Sequence, residues 1–354
     1  MGTANTLVPA SGLAQRATEI LTRAGLGAAD ATIVADSLVD ADLRGVHSHG
    51  VGRLDIYVER LRRGGNVAHG RIATVVDAPA VAVLDGAGLL SQVPSMAAVA
   101  LARGKARAVG CATVVVRGAS HFGAAGYWAR LLAEDGLVGV ASTNTTPLMA
   151  PWGGSTAAIG TNPIAISFPS AELPPVVVDI ATSEATWGKL LNAAAAGEAI
   201  PTDWALDEHG RGTTDAATAV RARRLLPFGR HKGYALAVGI ELLTGALASA
   251  CCLAEVGDMY GEPANPMRNG HLFIAIDPRR MRPDGSDYAT TVTRIQREIN
   301  SLPPAGGTER VLWPGQLEAE LAQKRRDEGI PLPGPILTTL ASLEPQRPLA
   351  GTAS

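Results

Sequence analysis

The chain has 354 residues, 31 basic and 33 acidic side chains, and a formal net charge of −2. That length supports more than one lobe. The near-neutral charge and an aromatic content of only 4% give no footing for nucleic acid or an anionic membrane as partner.

Helices lead the sequence. Leu13, Ala17, Ile20, Leu21 and Ala24 keep helical spacing behind Ser11, a candidate N-cap, and Gly25 and Gly27 end the run. Asp30 can cap a second helix carrying Val34, Leu38 and Ala41, and Leu54, Tyr57, Val58 and Leu61 form the stripe of a third. Between those two lies Arg44-Gly45-Val46-His47-Ser48-His49-Gly50-Val51-Gly52-Arg53. Imidazole exchanges protons near neutral pH, and guanidinium grips a carboxylate in a fixed orientation. Such a mixture suits an enzyme that acts on a small oxo-, hydroxy- or imino-acid.

From about Ala73 short β-branched runs alternate with helical stretches. Strands are predicted at 74–76, 81–84, 112–116, 138–142, 164–168, 176–180 and 271–276, and helices at 94–108, 124–134, 184–196 and 231–247. After Pro278 the pattern turns helical again, most clearly over 288–302. The expected fold is α/β. A cofactor-binding lobe with a mixed sheet (73–284) is inserted into a helical lobe (7–72 plus 285–330). The remaining 331–354, with Pro331, Pro333, Pro335, Pro345 and Pro348, reads as an extended tail that drapes on a neighbour.

The richest apolar stretch, 234–253, contains Glu241 and reads as a buried helix, and no run reaches the roughly 20 residues that span a bilayer. No basic segment followed by an apolar one opens the chain, so a cytoplasmic location is expected. Cys111, Cys251 and Cys252 are expected to be buried small hydrophobes in a reducing compartment.

Five further clusters carry polar chemistry. Ser120-His121-Phe122-Gly123-Ala124-Ala125-Gly126 follows a strand and opens a helix, where backbone N–H groups can face an anion; Ser120 also reads as a plain cap. Asn144-Thr145-Thr146-Pro147 and Gly160-Thr161-Asn162-Pro163, with Pro151-Trp152-Gly153-Gly154 between them, suit a ribose or an amide, or simply turns. In Asp179-Ile180-Ala181-Thr182-Ser183 the aspartate can hold a ribose hydroxyl, or Thr182 or Ser183 can cap a helix. His231-Lys232-Gly233 resembles a phosphate grip without being a P-loop. No Gly-x-Gly-x-x-Gly follows an early strand; Gly86-Ala87-Gly88 lacks the third glycine, so a Rossmann site is not expected. His47-x-His49 leaves a second reading open, a metal-dependent hydrolase, although no second close histidine pair supports it. A third is a catalytically silent dinucleotide-binding protein.

In order and spacing these clusters resemble the malate/L-lactate dehydrogenase family, over about Leu13 to Gln323. That family includes ureidoglycolate, sulfolactate and malate dehydrogenases, diketogulonate reductase and piperideine-2-carboxylate reductase. The resemblance implies a non-Rossmann NAD or NADP fold and a homodimer. It also implies hydride transfer at C2 of a small carboxylic acid, with no metal. His49, steadied by Ser48, matches the family's proton donor; His121 matches a second candidate acid–base group; and Arg53 is the expected carboxylate clamp. Cofactor contacts carry over to His121, Thr145, Asp179, Ile180, Ala181, Thr182, Ser183, Lys232 and the Pro314-Gly315-Gln316 turn. The chain departs from the family pattern at Arg230, Trp187 and Gln316, where a glycine, a smaller residue and a glutamate are usual.

Overall fold

The computed structural model describes residues 5–282 and 284–344. A short strand, β1 (Thr6–Val8), leads into helices α1 (Ala10–Arg23), α2 (Ala28–Leu43) and α3 (Leu54–Arg63). Helix α1 starts one residue before Ser11, on Pro9, and has no side-chain cap. The interval between α2 and α3 is two successive 3₁₀ turns, His47–His49 and Val51–Arg53.

Then follow β2 (Ala73–Asp77), β3 (Val81–Asp85), α4 (Gln92–Val109), β4 (Cys111–Ala119), α5 (Ala125–Glu134), β5 (Val138–Thr143), β6 (Ile164–Phe168) and β7 (Val176–Ile180). After these come α6 (Trp187–Ala196), α7 (Ala216–Ala222), α8 (His231–Glu241) and β8 (Asn269–Ile276). The chain closes with α9 (Tyr288–Ser301), α10 (Gln316–Glu328), β9 (Ile330–Leu332) and α11 (Gly334–Leu343).

Seven strands form one mixed sheet in the order β2-β3-β4-β8-β5-β6-β7, in which only β3 and β4 run parallel. Each of these strands overlaps a β-branched or apolar run legible in the sequence. Helices α4 and α5 cover one face, burying Val99, Ala102, Trp128 and Leu132 against Val114, Val116 and Phe273. Small alanines on α4 let the helix lie close to the sheet. Register places the end of β4 (Ala119), the start of β8 (Asn269) and the end of β5 (Thr143) at one edge of the sheet. The start of β6 (Ile164) and the end of β7 (Ile180) lie at that same edge.

A second core joins α1–α3 to the end of the chain. Leu13, Leu21, Leu38 and Leu54 pack with Ala322, Ile330, Leu332 and Leu340. Strand β9 pairs antiparallel with β1. The segment expected to be an extended tail is therefore folded from Ile330 to Leu343. Its prolines do not prevent this: Pro333 precedes α11 and Pro335 sits in its first turn, where a missing N–H costs nothing. Pro345 and Pro348 lie outside the described residues.

Three more expectations change. Helix α9 bonds to the β6–β7 turn rather than to the N-terminal helices. Thr293 Oγ1 meets Ser170 Oγ at 2.7 Å, and Gln296 accepts from the same hydroxyl at 2.6 Å. Cys111 is exposed because it opens β4 on the outward-facing side of the strand, and Cys251 and Cys252 are half-buried, so none is the fully buried small hydrophobe expected; all three are free thiols. The expected 231–247 helix ends as α at Glu241 and widens into a π turn over Leu242–Ala246.

Candidate active site

The polar sheet edge, the α2–α3 interval and the start of α10 enclose a cavity of about 640 Å³. Of the residues singled out in the sequence, Ser48, His49, Arg53, His121, Thr145, Asp179, Ile180, Ala181, Ser183 and Gly315 all line it.

Asp42, fully buried on α2, builds the catalytic-looking end. It accepts from the Val51 N–H at 2.7 Å and from His47 Nδ1 at 2.7 Å. A Cβ at Gly50 would come within 2.1 Å of its carboxylate, so glycine is required for the chain to pass. His47 Nε2 faces Arg325 Nη1 at 3.1 Å. Both ring nitrogens of His47 are thus engaged by protein. Among the described residues no group of three or more His, Cys, Asp or Glu could hold a metal ion, so the hydrolase reading finds no support in the geometry.

His49 and His121 stack, with centroids 5.4 Å apart and rings 17° from parallel. Their surroundings differ. His49 Nδ1 meets Ser48 Oγ at 2.8 Å, and that hydroxyl can donate or accept. His121 Nδ1 meets Tyr57 Oη at 2.7 Å and accepts from the Gly123 N–H at 3.4 Å. Gln92 Nε2 donates to Tyr57 Oη at 2.9 Å, which leaves the tyrosine proton for His121. His121 is therefore fixed as the Nε2–H tautomer. Burial pushes the Tyr57 phenol up to about 12, so it stays protonated.

Burial first, and then Arg53, lower His49 to about 4. Burial, His49 and Arg53 hold His121 well below the usual range. At neutral pH both rings are uncharged. Arg53 Nε donates to Ser48 O at 2.6 Å, and its guanidinium lies over Tyr260, 5.3 Å from the ring centroid. Among the described residues it forms no ion pair, although the other cavity arginines do: Arg44 and Arg130 share Asp40, and Arg223 pairs with Asp258 at 2.7 Å.

The other end is a glycine-lined cradle. The Gly126 N–H donates to Asp179 Oδ2 at 2.8 Å, and a Cβ there would sit 2.7 Å from that oxygen. Gly315, at φ +89°, lies against Val177, where a Cβ would come within 2.9 Å. Surrounding protein pushes Asp179 up to about 6, with Glu318 adding and the Gly126 N–H opposing. Its surface open to the cavity lets water screen part of that shift.

Thr145 is held by a polar knot: Asn162 Oδ1 accepts its N–H at 3.0 Å, and its hydroxyl accepts from the Thr161 N–H at 3.0 Å. Behind it Glu241 takes Asn162 Nδ2 at 2.7 Å, Asn144 Nδ2 at 3.0 Å and the Leu253 N–H at 2.8 Å.

Some expected contacts are not brought in. Thr182 is buried outside the cavity wall, with its hydroxyl on Thr161 O at 2.9 Å. Lys232 is exposed on the first turn of α8 and does not line the cavity; Gly233 beside it serves packing, since a Cβ there would meet Phe228 O at 2.2 Å. Arg230 is likewise exposed outside the cavity, and Gln316 is spent on Asn300 and Glu320. Trp187 does line the cavity, beneath the Arg223 guanidinium at 6.0 Å. Sequence reasoning missed Gln92, Asn269 and Tyr260. It counted Tyr57 only as an apolar stripe position.

The cavity fits a dinucleotide. It has a cradle that side chains would fill, a carboxylate within it, and in its wall a buried oxygen, Asn269 Oδ1, that has no partner among the described residues. Comparison with known proteins agrees. The malate/L-lactate dehydrogenase family pattern matches residues 8–341. The chain is 39% identical over 328 residues to L-sulfolactate dehydrogenase of Methanothermobacter thermautotrophicus, covering 92% of each chain. It is 33% identical over 322 residues to the NAD(+) ureidoglycolate dehydrogenase of Escherichia coli, covering 91% of each. The structure of malate dehydrogenase from Entamoeba histolytica superposes with a TM-score of 0.90 at 29% identity, covering 96% of this chain and 97% of that one. With its fold and nearly its whole length in common with these dehydrogenases, the chain belongs to the malate/L-lactate dehydrogenase family.

Proposed function

We propose that the protein is an NAD- or NADP-dependent oxidoreductase working at C2 of a small 2-oxo or 2-hydroxy acid, with cyclic 2-imino acids as further substrates. The observation that carries this reading is a cavity-lining guanidinium, Arg53, with no carboxylate partner among the described residues, beside two neutral stacked imidazoles. A dinucleotide bound in the glycine cradle supplies or accepts the hydride.

Arg53 takes the substrate carboxylate through its terminal nitrogens, because Nε is already committed to Ser48 O. This presents the C2 substituent to the histidine pair. His49 is the acid–base group. Its Nδ1 keeps a proton on Ser48 Oγ while Nε2 gains or loses one at the substrate oxygen or nitrogen. His121 cannot do this without losing Tyr57 and Gly123, so it serves as an N–H donor that orients the reacting group. A carboxylate on Arg53 also cancels the positive charge that depresses His49, so substrate binding raises the proton affinity of the ring that must hold the proton.

The relatives include enzymes named for NAD(+) and for NADP(+), and either nucleotide remains within this proposal. No helix among the described residues is long and apolar enough to cross a membrane. Leu242, Leu243, Leu247 and Leu253 are exposed in and after the π turn, apolar surface suited to a second copy of the chain in a cytoplasmic homodimer.

The test is a spectrophotometric screen of both reduced cofactors against pyruvate, oxaloacetate, further 2-oxo acids and cyclic imines. Oxidation of the cofactor by at least one of these acids is expected; tight cofactor binding with no turnover across the panel rejects the reading in favour of a silent binding protein.

A further inference from the structure

Asn269 opens β8 at the polar edge of the sheet, paired with Ala119, two residues before His121. Its side chain is 1% exposed and borders the cavity. The amide orientation is fixed: Nδ2 donates to the backbone carbonyl of Asn144 at 3.0 Å, and a reversed amide would set two oxygens against each other. Nδ2 also meets Thr143 Oγ1 at 3.3 Å. That hydroxyl is held in turn: its one proton faces the backbone carbonyls of Asn144 and Gly270, and the oxygen meets His271 Nδ1 at 2.8 Å. Oδ1 has no partner among the described residues. A buried acceptor without a donor is a standing cost in the free protein, removed when a ligand brings a donor.

We infer that Asn269 Oδ1 accepts a hydrogen bond from the carboxamide N–H of the nicotinamide ring, which fixes the ring beside His121. This assignment rests on the proposed function and adds a residue to it. The carboxamide is the cofactor's N–H donor nearest its reactive carbon, and Asn269 lies at the histidine end of the cavity rather than at the Gly126–Asp179 cradle. The neighbouring His271 also has an unpartnered acceptor, Nε2, among the described residues, but it does not line the cavity and so cannot take the same donor.

The test compares equilibrium binding of three ligands by calorimetry. These are the reduced nicotinamide dinucleotide, its 3-acetylpyridine analogue, which keeps a carbonyl but has no N–H, and ADP-ribose, which has no ring. Wild type is expected to hold the nicotinamide form roughly tenfold more tightly than the acetyl analogue. N269A should bring the two to equal affinity and leave ADP-ribose within about twofold. Equal affinities in wild type, or discrimination that survives in N269A, overturns the assignment while leaving the proposed function standing. Failure of wild type to bind any of the three removes the proposed function and this assignment together. Should N269A not fold, N269L, which keeps the side chain's volume without the acceptor, takes its place with the same two expectations.

Discussion

Arg53 is the position where geometry and electrostatics make separable demands on one side chain. Replacing it with Met removes the free terminal nitrogens and the charge but keeps most of the apolar stem. Two charge-assisted hydrogen bonds to a substrate carboxylate, at about 1.5–3 kcal/mol each, put the expected loss in kcat/KM at roughly 10²–10⁴-fold. Arg53→Lys restores the charge without the fork, so it should recover only part of that and act mainly through KM. The second readout is His49. Arg53 is the weaker of the two causes that lower its pKa to about 4, burial being the larger. In Arg53→Met the ring should therefore titrate higher than in wild type yet stay below 6.5, whereas in Arg53→Lys it should stay near the wild-type position. Steady-state kinetics over a 2-oxo acid series and NMR titration of the His49 ring carbon measure both effects. An unchanged KM in both variants, with His49 unmoved in Arg53→Met, refutes the clamp.

Gly126→Ala forces Asp179 Oδ2 away from a new methyl group 2.7 Å distant and breaks the Gly126 N–H bond; dinucleotide affinity should fall about tenfold with the circular dichroism spectrum unchanged. Glu241→Gln turns a donor toward Asn144 and Asn162, so it should lower stability by about 1–3 kcal/mol in urea melts and weaken cofactor binding through Thr145. His271 is neutral in the fold and titrates near 3, against an unfolded value of 6.5. Its contribution to stability is complete above pH 6.5 and is lost as the pH falls toward 3, at up to about 1.4 kcal/mol per pH unit. His271→Asn should flatten the stability–pH curve by that slope, and an unaltered slope would show that His271 is not held neutral.

The sheet was legible because its strands are short β-branched runs bounded by turn residues, and every strand predicted from the sequence is present in the fold. The end of the chain was not. Five prolines read as extended chain, but whether Pro333 and Pro335 start or stop a helix depends on Leu340 finding the core of α1–α3, a contact more than 270 residues away in sequence. The catalytic-looking end was legible because its chemistry sits in one ten-residue segment. Lys232 lies outside the cavity wall, and the glycine beside it is required by Phe228 O, which no local pattern reveals. Asn269 and Gln92 gave no signal, since a single amide on a strand or at a helix start is ordinary until its neighbours are known.

The central claim is that His49 handles the proton while Arg53 fixes the acid. Single-turnover reduction of the best 2-oxo acid by [4-²H]-labelled reduced cofactor, with wild type and His49→Ala, tests it most directly when cofactor affinity is measured alongside. Deuterium should appear at C2 of the product. The variant should bind cofactor normally and react about 10²–10⁴-fold more slowly. Label lost to solvent, or near-wild-type rates in His49→Ala, would contradict it.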